Sequence, residues 1–150
     1  MPLFRKEEYF TTEEKHRIVS AIKAAEQQTS GEVRVYIEKR CRFVDPLDRA
    51  AELFWGLKMD LTKERNGVLV YLAYKDRQFA VLADQGIHEK MGNAFWQQEV
   101  NVMKKHFVQE KPAEAVEHVV TDIGKALHTH FPYNSAIDKN ELPDDIIFGK

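Results

Sequence analysis

Residues 65–83 read Arg65-Asn66-Gly67-Val68-Leu69-Val70-Tyr71-Leu72-Ala73-Tyr74-Lys75-Asp76-Arg77-Gln78-Phe79-Ala80-Val81-Leu82-Ala83. From Val68 to Tyr74 every position is apolar or aromatic, without the alternation of a half-exposed strand. Such a run reads as a central strand covered on both faces. Lys75-Asp76-Arg77-Gln78 is a tight polar turn, and Phe79–Ala83 is a second apolar strand returning beside the first. With Asp76-Arg77 as a two-residue turn, position 75 faces 78, 69 faces 84 and 67 faces 86.

Upstream, Glu32–Glu38 alternates Val33, Val35 and Ile37 with Glu32, Arg34 and Glu38, the pattern of a strand with one more polar face. Before it, residues 12–28 carry Ile18, Ile22 and Ala25 at helical spacing, and Gly31 is placed to end that helix in a left-handed conformation. Asp45-Pro46 opens a second helix, with Asp45 as N-cap and Pro46 at the first helical position, running to about Leu57. Strand, helix and strand in that order imply a right-handed crossover and parallel pairing. Downstream, Trp96, Val100, Met103 and Phe107 form one helical stripe, and Val116, Val119, Ile123 and Leu127 form another.

The expected architecture is α/β, a three-layer α/β/α sandwich around a small mixed sheet. One domain spans residues 1–150, with its core over about 10–131. The tail 132–150 is turn-rich apart from Ile146-Ile147-Phe148, which we expect to dock on the core.

The 150 residues include 22 basic and 24 acidic side chains, for a formal charge of −2. No charge block is long enough to predict a nucleic-acid surface, and no apolar run is long enough to span a bilayer. Cys41 stands alone, which excludes an internal disulfide and a cysteine-based zinc ribbon. The start, Met-Pro-Leu-Phe-Arg-Lys-Glu-Glu, lacks a signal-peptide core, so a cytoplasmic protein is expected. A monomer is expected as well.

The topology gathers three loops at the end of the sheet where the parallel strands begin: Thr29–Glu32, Glu64–Gly67 and Asp84–Glu89. Glu32, Asp84 and Glu89 offer carboxylates there, and backbone carbonyls near Gly31 and Gly86 add neutral oxygens. Ser30 and Asn66 stand in the same loops. Hard cations such as calcium take oxygen donors of this kind. Arg65 and His88 would instead engage an anion or balance the acids, and Asp84-Gly86 also suits a plain strand-to-helix turn. The opposite end competes, because ligands of open α/β sheets bind beyond the carboxyl ends of parallel strands. Arg40, Arg42 and Arg49 would hold a phosphate there, beside Asp45, Asp48, Asp76 and Arg77. Capping and turn formation already account for those last four residues.

With these stretches in view, the chain resembles the TPM domain, the module of thylakoid-lumen phosphatase-like and photosystem-repair proteins. Thr29-Ser30-Gly31-Glu32, Asp45-Pro46-Leu47-Asp48-Arg49-Ala50, Arg65–Tyr71, Ala83–Ile87, Phe95-Trp96, Phe131-Pro132 and Asn140–Ile146 carry the resemblance by their order and spacing. The tail is similar to that of the short bacterial branch. The resemblance implies an α/β/α sandwich, calcium or another divalent cation in some members, and weak or acid phosphatase activity. It places Glu32, Asn66, Asp84 and Gly86 on motif positions and adds Asp144 and Asp145 as metal ligands. His88 would then be the general acid of a metal-assisted phosphatase. The alternative is a noncatalytic module that binds a protein partner.

Overall fold

The computed structural model describes residues 9–133 and 146–149. Helix α1 spans Thr12–Glu26, strand β1 Glu32–Glu38 and helix α2 Pro46–Gly56, followed by a 3-10 turn at Met59–Leu61. Strands β2 (Gly67–Ala73) and β3 (Gln78–Ala83) come next, then helices α3 (Gln85–Met91), α4 (Asn93–Val108) and α5 (Pro112–His130), and last strand β4 (Ile146–Phe148). The sheet order is β3-β2-β1-β4. Strand β1 runs parallel to both β2 and β4, while β2 and β3 are antiparallel. The mixed sheet and three-layer arrangement agree with the sequence pattern.

Local chemistry explains the boundaries. A capping box opens α1: Glu14 N donates to Thr11 Oγ1 at 3.1 Å and Thr11 N donates to Glu14 Oε1 at 2.9 Å. The N-cap is thus Thr11. Asp45 caps α2 as expected, accepting from Leu47 N at 2.9 Å. Gly31 is not left-handed, since Gly92 is the positive-φ glycine among the described residues. It is small because Leu127 Cδ2 lies 2.8 Å from where its Cβ would stand.

Strand β2 is buried at all seven positions, because helices cover both faces of the sheet. Val68, Val70 and Leu72 pack with α1, α4 and α5 through Ile18, Ile22, Met103, Val116, Ile123 and Leu127. On the other face Leu69, Tyr71 and Ala73 meet Ala50 and Phe54 of α2. Each fully buried Leu or Val side chain contributes about 1.5–3 kcal/mol. These two half-cores hold the sheet rigid between them.

Two expectations are corrected. The hairpin pairs Ala73 with Gln78 and Val68 with Ala83, so its connection is Tyr74-Lys75-Asp76-Arg77 rather than a two-residue turn. The cause is β1, whose Glu38 and Lys39 carbonyls accept from Tyr74 N and Lys75 N at 3.0 and 2.9 Å and carry the chain past β2 before it turns. The register moves by two residues, so every side chain keeps its face and Asp84 still returns to the start of β2. Asp84 N donates to Gly67 O at 2.9 Å. Secondly, Asp84–Glu89 is more than a turn: Asp84 is the N-cap of α3, a separate helix divided from α4 by Gly92 at φ +80°.

Candidate functional site

The three loops do converge. Glu32 N donates to Asn66 O at 3.4 Å, Asn66 Nδ2 donates to Ser30 Oγ at 3.2 Å, and Ser30 Oγ donates to Glu64 Oε2 at 3.3 Å. Gly86 closes the third side: its N–H donates to Arg65 O at 2.8 Å. A Cβ at Gly86 would lie 2.1 Å from Glu64 O and 2.6 Å from Arg65 O, so only glycine lets α3 start this close to the loop.

Charge at this end is largely matched from within. Arg65 grips Asp84 with two hydrogen bonds, Nε to Oδ2 at 2.6 Å and Nη2 to Oδ1 at 2.8 Å. Asp84 Oδ1 also accepts from Gln85 N at 2.8 Å. The Asp84 hydrogen bond raises the guanidinium pKa of Arg65, which sits at a left-handed φ of 54°. Glu26 Oε2 accepts from Val33 N at 2.9 Å. Burial lowers the pKa of the Arg34 guanidinium, against the opposing pull of Glu26 and Glu32. Asn66 is 1% exposed, and its Oδ1, like Arg34 Nε, is buried with no hydrogen-bond partner among the described residues.

No three His, Cys, Asp or Glu side chains among the described residues form a ready-made metal cage. Asp144 and Asp145 lie outside the described residues. Glu89 is exposed on α3. His88 lines a groove of about 570 Å³ along β3, with Phe79, Val81, Trp96 and Lys104.

The opposite end is built differently. Burial alone would raise the Glu38 carboxyl pKa, but hydrogen bonds from Arg49 and Tyr71 outweigh it and hold that carboxyl below its usual range. Arg49 donates to Glu38 Oε2 at 2.9 Å and Oε1 at 3.0 Å and also to Glu52, while the Tyr71 hydroxyl donates to Glu38 Oε2. Asp76 accepts from Arg40 Nη1 at 2.9 Å and from Cys41 N at 2.8 Å, tying the hairpin turn to the end of β1. Arg77 takes the left-handed turn position at φ 52°. Asp48 N donates to Asp45 O at 3.0 Å, within the first turn of α2.

Arg40, Arg42 and Arg49 line one pocket at this end, whereas Asp45 lines the β3 groove. The sequence reading missed Lys39, Lys75 and Gly149 of that pocket. Lys39 and Lys75 were readable as basic residues ending β1 and starting the turn. Gly149 arrives only through the β4 pairing, with Gly149 N donating to Ile37 O at 2.7 Å.

The fold and its two charged sheet ends define a small three-layer α/β/α domain with loops gathered at either end of a mixed sheet. The family model for the TPM domain matches residues 3–126, and the chain belongs to that family. It is similar to the BA42 protein of the psychrophilic bacterium Bizionia argentinensis, solved by NMR. The two are 39% identical over 97% of this chain and 99% of that one, with a TM-score of 0.86. The N-terminal domain of cg2496 from Corynebacterium glutamicum shares the fold at 16% identity and a TM-score of 0.58, over 85% of this chain and 84% of that one. No curated protein matches the chain in sequence. No helix among the described residues is long and apolar enough to cross a membrane.

Proposed function

We propose that this TPM domain binds a divalent cation, calcium by its donor chemistry, at the three-loop end. The observation that carries the reading is the buried Asn66 Oδ1, an amide oxygen without a hydrogen-bond partner among the described residues. A buried acceptor left unmatched costs about 1–3 kcal/mol, and a hard cation would satisfy it. Asp84 and Glu64 supply carboxylates in the adjoining loops, and Glu32 starts β1 beside them. Arg65 now stands on the Asp84 carboxylate, so binding is an exchange in which Arg65 leaves Asp84 and the cation takes its place.

Calcium titration followed by amide NMR tests this. Saturable shifts at residues 30–32, 65–67 and 84–86 are expected, tighter in Arg65→Gln and lost in Asp84→Asn. Shifts that are absent, or unchanged in Asp84→Asn, would overturn it.

Metal-assisted phosphoryl transfer needs the cation on the phosphoryl oxygen. Strand β1 separates this end from the basic end by six residue steps, roughly 20 Å at about 3.3 Å per step. We therefore assign the cation a binding and ordering role rather than a share in hydrolysis at the far end. A second reading, a protein-interaction module, is favoured by Val44, Trp55 and Leu61, which are 102%, 57% and 68% exposed around α2. Ile146 of the tail is buried and pairs with Val35 of β1, so it is docked on the core and not offered to a partner.

A further inference from the structure

Strand β3 is an outer strand of the sheet, and its pairing with β2 shows which of its backbone groups are used. Val68 pairs with Ala83, and the adjoining rung is a bonded one, with Asp84 N donating to Gly67 O at 2.9 Å. Bonded and non-bonded rungs alternate along an antiparallel ladder. Leu82, Ala80 and Gln78 therefore spend their backbone groups on β2, while Phe79 and Val81 point theirs at the free edge. Neither of those N–H groups has a hydrogen-bond partner among the described residues. Natural edge strands are blunted by charged residues, by proline or by a bulge. The stretch Gln-Phe-Ala-Val-Leu-Ala of β3 has no charge and no proline, and its register runs without a bulge.

The edge is also walled. A groove of about 570 Å³ runs along it, with Pro46 and Leu47 of α2 on one side and Trp96, Val100 and Lys104 of α4 on the other. Ala80 and Val81 are only 1% and 4% exposed on this outer strand, so the helices overhang it. A second folded copy brings its own overhanging helices, and its β3 cannot reach the roughly 4.8 Å spacing of paired strands. A single extended segment, with no layers of its own, fits between the walls. Leu47 is exposed and Val100 half-buried, which leaves apolar surface on either side of such a segment. Lys104 has no ion-pair partner among the described residues, whereas Asp45 is engaged as the cap of α2. Phe107, one turn beyond Lys104, packs on Phe79 with ring centroids 4.6 Å apart, which sets the lysine toward the start of β3.

We infer that the β3 edge binds an extended peptide segment by strand addition. The segment presents apolar side chains toward Leu47 on one face and Val100 on the other, and an acidic side chain beside Lys104. Main-chain hydrogen bonds to Phe79 and Val81 supply the affinity, and the walls with Lys104 supply the selectivity. The inference rests on neither the cation reading nor the exposed Val44, Trp55 and Leu61, and Glu32, Glu64, Asn66 and Asp84 stand outside the groove.

The test is a peptide selected on the full chain from a random phage-displayed library, synthesised free and titrated by amide NMR. Saturable shifts at residues 79–82 and 94–104 are expected, with amide hydrogen exchange at Phe79 and Val81 slowed by about tenfold or more. The same peptide is then methylated at alternate backbone nitrogens, in either phase. One phase should abolish binding, because it removes the donors that face β3, and the other should retain it. Lys104 is exposed, so Lys104→Glu leaves the core intact and should weaken the peptide by about fivefold, a surface ion pair lost. Arg42→Glu, at the basic end, should bind as the parent does. A library that yields no binder, or binders that leave residues 79–82 unmoved, would overturn the site. Equal binding in both methylation phases would overturn strand addition, and undiminished binding in Lys104→Glu would overturn the acidic contact. Concentration-dependent shifts at residues 79–82 in the chain alone would give the edge to a second copy. Slow exchange of Phe79 and Val81 without peptide would give it to a segment of the chain itself. Either result would overturn the peptide assignment.

Discussion

The two ends of the sheet carry similar residue types and arrange them in opposite ways. Where β1 and β2 begin, Arg65 closes on Asp84, Ser30 bridges Asn66 and Glu64, and α3 presses its first glycine against the backbone of residues 64–65. Where they finish, Glu38, Glu52 and Asp76 are paired, and Lys39, Arg42 and Lys75 stand around an open pocket with no ion-pair partner among the described residues. The first end is held shut by its own pairs, so a ligand must displace something. At the second the buried Glu38 is already engaged by Arg49 and Tyr71, so a ligand need only arrive. Motif richness and ligand readiness therefore lie at different ends of one strand.

The largest break in this comparison should come from the glycines. Gly86→Ala forces a Cβ into two carbonyl oxygens and should cost about 3 kcal/mol, the upper part of the usual overpacking range, in urea unfolding. Gly149→Ala meets the Tyr36 hydroxyl and the Glu38 side chain instead and should cost less. If Gly149→Ala proves the more damaging, the end described as open is the tightly packed one.

Next in size is Glu38→Gln, which leaves Arg49 only the exposed Glu52 carboxylate, in a site where Glu38 is 7% exposed. About 2 kcal/mol should be lost at pH 7. The folded-state pKa of Glu38 lies below its unfolded value. Its contribution is therefore complete above the unfolded carboxylate pKa of about 4.3 and fades as pH falls through the folded value. The gap between parent and variant should thus narrow from pH 5 to pH 3, read by thermal unfolding. A gap that widens on acidification would remove Glu38 as the anchor of the pocket floor. Smaller still is Asp84→Asn, because Arg65 is 35% exposed and turns to water when released. Its expected stability loss is below that of Glu38→Gln in the same denaturation series.

Much of the fold was legible because β2 is apolar at every position and the helical stripes keep their spacing. The convergence of the three loops followed from parallel pairing and a hairpin, and it survived a register error of two residues because strand faces repeat every second position. The turn length was hidden because the bonds that set it come from Glu38 and Lys39 carbonyls, far away in sequence. Helix α3 was hidden because Asp84-Gln85-Gly86 has turn composition, and the reason for Gly86 is a contact with residues 64–65. Arg65 and Asp84 were both singled out, but their two-point pairing depends on a left-handed residue that no pattern announces. The basic pocket was half legible: the arginines stood out, while Arg49 proved committed to Glu38 and the lysines and Gly149 are supplied by neighbouring strands.

One measurement tests the division of the two ends most directly: an amide shift map of the protein with calcium added. The account predicts saturable shifts at residues 30–32, 65–67 and 84–86, with residues 39–43, 75 and 149 unmoved. Calcium shifts at the basic end, or none at the three loops, would contradict it.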